Sequence, residues 1–309
     1  MKLFLPIVIC ITLAVSSCDK VKNAYPPNLV KSALDWSLYP NGDSAHYVAQ
    51  GLWPTFSPNT NTLKNVLIED YTGHRCFNCP NAATLLHTLE TANPGRVFGA
   101  SVHTSAVGMS SFQETDTDYP TVLYNDYSFQ IGSHFGSQPG TSFIGNPHGT
   151  VNRFKNGTDN TAPPGSWSGM TSTELAAPLK VNLQAVANYF SSTRGLFLHV
   201  EVDKIDAGLT SDLSLVVYVL EDSIVGPQLM PNLSKNDTYI HRDVLRDCIG
   251  GNIFGRAITD KEKLPSGKYQ LNYSYKIPTT YNADNLHLLI YVINNETEEV
   301  CQVIHQDIQ

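Results

Sequence analysis

Cys76 and Cys79 stand three residues apart in TGHRCFNCPNAATLL, residues 72 to 86. Pro80 follows, then a run of good helix formers. Two thiols at this spacing serve as a redox pair, a metal clip or a structural staple. A helix N-terminus offers unpaired N–H groups and positive potential. Both stabilise a thiolate and lower its pKa. Cys76 is therefore expected as an exposed attacking thiol. Cys79, one turn on and deeper, is expected to resolve the mixed disulfide. Pro80 suits the first helical turn, where its missing N–H costs little.

The elements that must position this pair read as β-α-β. KNVLIEDY, from Lys64, is a short apolar run suited to a buried strand. A tight turn at Thr72-Gly73 follows. From Pro80, Ala82, Ala83, Leu85, Leu86 and Leu89 fall on one helical face, and ANPG ends the helix. RVFGASVHT, 96–104, reads as a second, parallel strand. Residues 105–140 read as an insertion, with a helix expected around YPTVLYNDY. GNPHGTVNRF, 145–154, is a turn entering a third strand, and KNGTDNTAPPG is loop. TSTELAAPLK is expected to hold a short helix, with Thr171 and Glu174 as a capping box. From Leu179 the period becomes two, as in Leu213, Leu215, Val217 and Val219. About seven such segments indicate an antiparallel sandwich.

The N-terminus sets the compartment. MKLFLPIVICITLAVSSC carries one Lys, an apolar run and small residues before Cys18, so residues 1–17 read as a signal peptide. VSSC resembles a bacterial lipobox, which implies acylation of Cys18 and a stable lipid anchor. Residues 18–60 are then a lipidated N-terminus and tether, expected to become partly ordered toward GLWPTF. Cys10 leaves with the signal, so Cys76, Cys79, Cys248 and Cys301 remain. In an oxidising compartment two disulfides are the default. Close spacing favours Cys76–Cys79, and the remainder gives a structural disulfide, Cys248–Cys301. The 309 residues are 41% hydrophobic with a net charge of −8. That balance excludes nucleic-acid binding through a basic surface. No P-loop, dinucleotide fingerprint or nucleophile elbow is present.

VLIEDYTGHRCFNCP resembles the strand, turn and CxxC unit of the thioredoxin superfamily. The resemblance implies a proton-transfer role for Asp70, six residues before Cys76, beside the alternative of a solvated strand-end acid. It also implies a cis-proline facing the cysteines. Pro147 in GNPHGTV fits that place, with Pro139 in SQPGT as rival. Arg75 replaces the family's Trp, and Phe77-Asn78 its Gly-Pro, so a strong reductant is not implied. Arg75 could support a Cys76 thiolate or simply face solvent. His74 reads as a surface turn histidine rather than a proton relay. Over nearly the whole chain, SVHT, NPHGTVNRF, VLEDSIVGPQ and HRDVLRDCIGG resemble the family related to the twenty-eight-kilodalton outer membrane protein of Bacteroidetes-type bacteria. The fold expected is an α/β thioredoxin-like domain over residues 61–178, then an all-β, immunoglobulin-like sandwich over 179–309.

Three functions stand from the residues together with what the resemblance implies for Asp70 and Pro147. The first is thiol–disulfide exchange on envelope proteins, with Cys76, Cys79, Asp70 and Pro147 as site residues. It needs no cofactor, since the thiols carry the electrons, but a redox partner must recharge them. The second is a non-catalytic binding or adhesion module with Cys76–Cys79 as a staple. The third, minor, is delivery of copper or another soft metal, with His103 or His148 approaching the cysteines. The location implied is the bacterial outer membrane, held by the lipid at Cys18, on its periplasmic or outer face.

Overall fold

The computed structural model describes residues 34–155 and 157–308. The expected signal peptide, Cys18 and the first part of the tether lie outside the described residues. The rest of that segment is packed rather than loose. Trp36, Tyr39 and Tyr47, the last on α1 (Ser44–Ala49), form an aromatic cluster with Phe190 and Phe197. Burying several rings against a sheet face outweighs the cost of ordering this segment.

β1 (Val66–Thr72) is buried on both faces along its whole length. Its even positions Val66 and Ile68 pack beneath α2 (Cys79–Ala92), against Ala82 and Leu86. Its odd positions Leu67 and Tyr71 meet Ile131 and Phe135 of α3 (Asp126–Gly136) on the other side. β2 (Val97–His103) runs parallel to β1, from Val66 opposite Val97 to Thr72 opposite His103. Gly99 of β2 lets α2 approach, since a Cβ there would stand 2.8 Å from Leu86 Cδ2. β3 (His148–Val151) adds antiparallel to β1, and α4 (Pro164–Ala176) covers it.

The chain then forms β4 (Val181–Phe190), β5 (Gly195–Lys204) and β6 (Leu213–Glu221). A hairpin follows, β7 (Ile224–Leu229) and β8 (Lys235–His241). After it come β9 (Val244–Cys248), β10 (Arg256–Ala257), β11 (Tyr269–Lys276), β12 (Leu286–Asn294) and β13 (Val300–Asp307). β4, β5 and β11 make one sheet. It packs through Val181, Leu198 and Leu271 on Leu215, Val217, Leu288 and Ile290 of β6 and β12. The second sheet runs β13-β12-β6-β9-β2-β1-β3, with β10 on β6. Parallel pairing of β2 with β9 at Ser101 and Val244 therefore joins both halves of the chain in one sheet. The boundary read at residue 178 separates elements but not the sheet.

Several sequence expectations need correction. The helix expected around Tyr119–Tyr127 begins later, because Asn125 and Ser128 form a reciprocal capping box there. The helix expected from Thr171 begins at Pro164, and Thr171 and Glu174 are buried in its body. Glu174 does not cap; it pairs with Lys64 and accepts from Asn152 Nδ2 at 2.9 Å. Ten strands are described after residue 180, not seven. Cys248 and Cys301 are free thiols, not a disulfide. Two strands, β12 and β6, lie between theirs, and three strand spacings of about 4.8 Å exceed disulfide reach. Their side chains also join cores on opposite faces of the sheet.

Glu69 of β1 is fully buried on the face away from α2. Arg153, just past β3, meets it with Nε donating to Oε2 at 3.0 Å and Nη2 to Oε1 at 2.9 Å. Tyr218 of β6 donates to Glu69 at 2.8 Å, and Thr150 donates at 2.7 Å. Arg153 Nη2 also donates to the hydroxyls of Tyr218 and Tyr291, at 3.0 and 3.1 Å. Asn152 and Arg153 both take left-handed backbone, with φ of 49° and 50°, which ends β3. The strained turn is fixed by bonds from Asn152 N to Leu67 O and from Val300 N to Asn152 O.

Removing one partner of such a pair strands a buried charge. Arg153→Met is expected to cost about 3–5 kcal/mol in urea unfolding at pH 7, and Glu69→Gln/Arg153→Met should recover much of it. A single-variant loss below about 1 kcal/mol would show that the pair does not hold the fold. Alkylation of denatured, unreduced protein should tag Cys248 and Cys301 but leave Cys76 and Cys79 untouched until reductant is added. Protection of Cys248 would contradict the free thiol.

Candidate functional site

Cys79 opens α2 and Pro80 occupies its first turn. The preceding turn is closed by Cys76 N donating to Gly73 O at 3.0 Å. Cys76 and Cys79 are joined as a disulfide, with Cα atoms 5.4 Å apart. Both are only 2% exposed, so Cys76 is not the open thiol that the motif alone implies. Two segments cover it. From the hairpin, Gln228 Nε2 donates to Cys76 O at 3.1 Å, and Leu229 N donates to His74 O at 2.8 Å. From the 105–140 insertion, Phe112 O accepts from Arg75 N, and Gln113 Nε2 donates to Thr72 O and Thr104 O.

The same cover buries His74, which is 1% exposed and stacks on Tyr119. It is not a surface histidine. Its Nε2 shares a 2.9 Å hydrogen bond with Glu114 O, and burial lowers its pKa. Arg75 is not simply solvent-facing either; it pairs with Asp116 at 2.5 Å and lies over the Tyr119 ring.

Asp70 is 1% exposed on the α2 face of β1. Among the described residues neither carboxylate oxygen has a hydrogen-bond partner. Burial raises its pKa to about 8, so the group holds its proton at neutrality. Glu69, one residue earlier and on the opposite face, behaves in the opposite way. Burial would raise its pKa too, but the Arg153 charge and hydrogen bonds hold it below the usual carboxylate value. The period of two thus sends one carboxylate to a cation and the other to the face beneath α2, where no cation pairs with it among the described residues.

The Asn146–Pro147 peptide is cis, at Pro147 and not at Pro139. Asn146 Nδ2 donates to Tyr71 O and Thr104 O, at 2.7 and 2.8 Å, which ties this loop to the ends of β1 and β2. His148 is not brought to the cysteines. It stacks on Phe143, beyond the face carrying α2, and its Nε2 meets Ser142 and Thr161 hydroxyls. Among the described residues no group of three His, Cys, Asp or Glu side chains is placed to hold a metal ion.

His103 does reach the site. With Asp70 and Cys79 it lines a cavity of about 370 Å³ between α2 and the β7–β8 hairpin. Gln228, Tyr239 and His241 line it from the hairpin. These three were not singled out from the sequence as site residues. The signal available was that Gln228 and His241 sit inside VLEDSIVGPQ and HRDVLRDCIGG, the two C-terminal stretches that carry the family resemblance.

Residues 140–309, more than half the chain, match the family described as Outer membrane protein Omp28. The chain belongs to the Omp28 family. Membership places it in the outer membrane of the bacterial envelope. Among the described residues no helix is long and apolar enough to cross a membrane. HBP35 of Porphyromonas gingivalis is similar in fold, with a TM-score of 0.59 and 19% identity over 81% of this chain and 76% of that one. A domain of the outer membrane lipoprotein Omp28 from Porphyromonas gingivalis shares 22% identity, covering 42% of this chain and 88% of that one, with a TM-score of 0.29. No curated protein matches the chain.

The buried Asp70 makes a pH prediction. Its folded pKa lies above the value of about 3.9 in an unfolded chain, so between these values only the unfolded chain loses the proton. Stability from this group is complete below about pH 4, falls as pH rises to about 8, and then levels off. Asp70→Asn should therefore raise the unfolding free energy at pH 8 by at least about 2 kcal/mol and change it little at pH 4. Equal effects at both pH values would mean that the carboxyl is solvated.

Proposed function

We propose that this Omp28-family protein exchanges thiols and disulfides with other envelope proteins through Cys76 and Cys79. One observation carries the proposal: the partnerless carboxyl of Asp70 lines the same cavity as Cys79. A passive staple has no use for a buried acid, which costs stability, whereas a leaving thiolate needs a proton source. In this reading β1, α2, β2 and β3 act as a thioredoxin-like unit, and the sheets of residues 181–307 as a sandwich behind it.

The roles follow. A partner's thiolate attacks Cys76 Sγ, and the bond to Cys79 breaks. The electron pair stays on Cys79 Sγ, which takes the Asp70 proton. A second partner thiolate then displaces Cys76, leaving the partner oxidised and the pair reduced. Run backwards, Cys79 loses its proton to Asp70 and resolves the mixed disulfide. Pro147, at the ends of β1 and β2, shapes the groove for the partner's chain. Cys18 would tether the protein to the membrane by lipid, and a redox protein would reset the pair. Entry to Cys76 requires the contacts of Gln228 and Leu229 to open.

A second reading, a binding module with a structural disulfide, is favoured by the 2% exposure of both cysteines. One experiment separates them. Cys79→Ser should trap mixed disulfides with thiol-reactive partners at Cys76. The wild-type pair should have a reduction potential between roughly −270 and −120 mV. An untagged Cys76 and a potential below about −300 mV would leave the staple standing.

A further inference from the structure

The cavity holds more chemistry than Asp70 alone. His103 sits on β2 at the register of Thr72, and its ring lies 5.7 Å from that of His241. Among the described residues, His103 Nδ1 and His241 Nε2 are buried without hydrogen-bond partners, as are both oxygens of Asp70. Each of these rings thus presents a buried nitrogen that the protein itself leaves unsatisfied. A volume of about 370 Å³ accommodates several waters, and these atoms are the polar partners such waters need.

We propose that His241, carried in by the β7–β8 hairpin, is a proton-relay residue for the exchange reaction. It passes a proton between solvent and Asp70 through the cavity, with His103 beside it. The chamber has work to do only if Cys76 and Cys79 exchange, so it rests on that reading. When the disulfide opens, Cys79 takes the proton of Asp70 and leaves a buried carboxylate with no hydrogen-bond partner among the described residues. An imidazole that accepts a proton at one nitrogen and releases one from the other restores it. The net movement is one proton from solvent to Asp70 for each disulfide opened, and the reverse on closing. Burial lowers the pKa of His241 to about 4 and that of His103 well below the usual value. Both rings are therefore neutral at pH 7, with one acceptor nitrogen each.

Other titratable groups share the cavity with His241. Asp70 lines it from β1, His103 from β2, and His87 and Glu90 from α2, while the charge of His74, in the turn before α2, acts on His241. Tyr239, Arg242 and Asp243 flank it along its own stretch of chain. Of these, His103 and His241 combine neutrality at pH 7 with a partnerless nitrogen.

The test is the rate at which dithiothreitol reduces Cys76–Cys79 in the full chain from pH 5.5 to 9, normalised to reductant thiolate. Wild type should react independently of added imidazole. His241→Ala should react at least about tenfold more slowly at pH 7 and recover with imidazole, which fits the space left by the ring. His241→Gln keeps size and polarity but cannot shuttle a proton, so it should stay slow. Were His241→Ala to misfold, the rate and pH profile of His241→Gln decide alone. If wild type is reduced readily and His241→Gln keeps pace with it, the relay is wrong and exchange survives. A slow but folded His241→Ala that imidazole does not restore also overturns the relay. If the wild-type disulfide resists reduction across the range, exchange fails and the relay falls with it.

Discussion

Glu69 and Arg153 meet where water does not reach, and much of the architecture follows from that pair. Each would be costly to bury alone. The pair is tolerable only because three further side chains hydrogen-bond it, Thr150 of β3, Tyr218 of β6 and Tyr291 of β12. Glu69 comes from β1 and Arg153 from the turn after β3. The tyrosine hydroxyls come from β6 and β12, more than sixty residues later in the chain. No segment confined to residues 61–178 can satisfy the network. The single sheet that runs from β13 to β3 is the backbone counterpart of the same constraint.

On the opposite face of β1, Asp70 has no cation paired with it among the described residues. Strand geometry alternates side chains, so what stabilises Glu69 cannot reach Asp70. The helix above contributes Ala82, Leu86 and Cys79, none of which can accept the Asp70 proton while the disulfide is closed. The result is two neighbouring carboxyls with opposite protonation at neutral pH. One supports the fold as an ion; the other is kept as an acid in the cavity behind Cys79.

The parts readable in the sequence were those fixed by local spacing. The helix start at CxxCP, the parallel strands around it and the period-two segments from Leu179 all rest on short-range rules. The β7–β8 hairpin does not, because Gly226-Pro227 interrupts one strand and polar residues fill the other. Its place over the cysteines is decided by tertiary packing. The same cause hid the burial of Cys76 and His74, since the covering side chains lie up to about 150 residues away in the chain. An oxidising compartment permits a Cys248–Cys301 bond but does not bring the thiols together. Strand order keeps them apart, and strand order is not a local property.

The distance in sequence between the cysteines and their cover has a temporal meaning. A secreted chain crosses the inner membrane from its N-terminus. Cys76 and Cys79 are three residues apart and can close as soon as both emerge. Gln228, which bonds the backbone at Cys76, follows 152 residues later. β9, the neighbour that completes β2, arrives later still. Contacts this distant form slowly. The sequence order thus opens a stage in which the cysteines are exposed to the oxidants of the envelope, and a bond closed then would be enclosed by a roof that arrives after it.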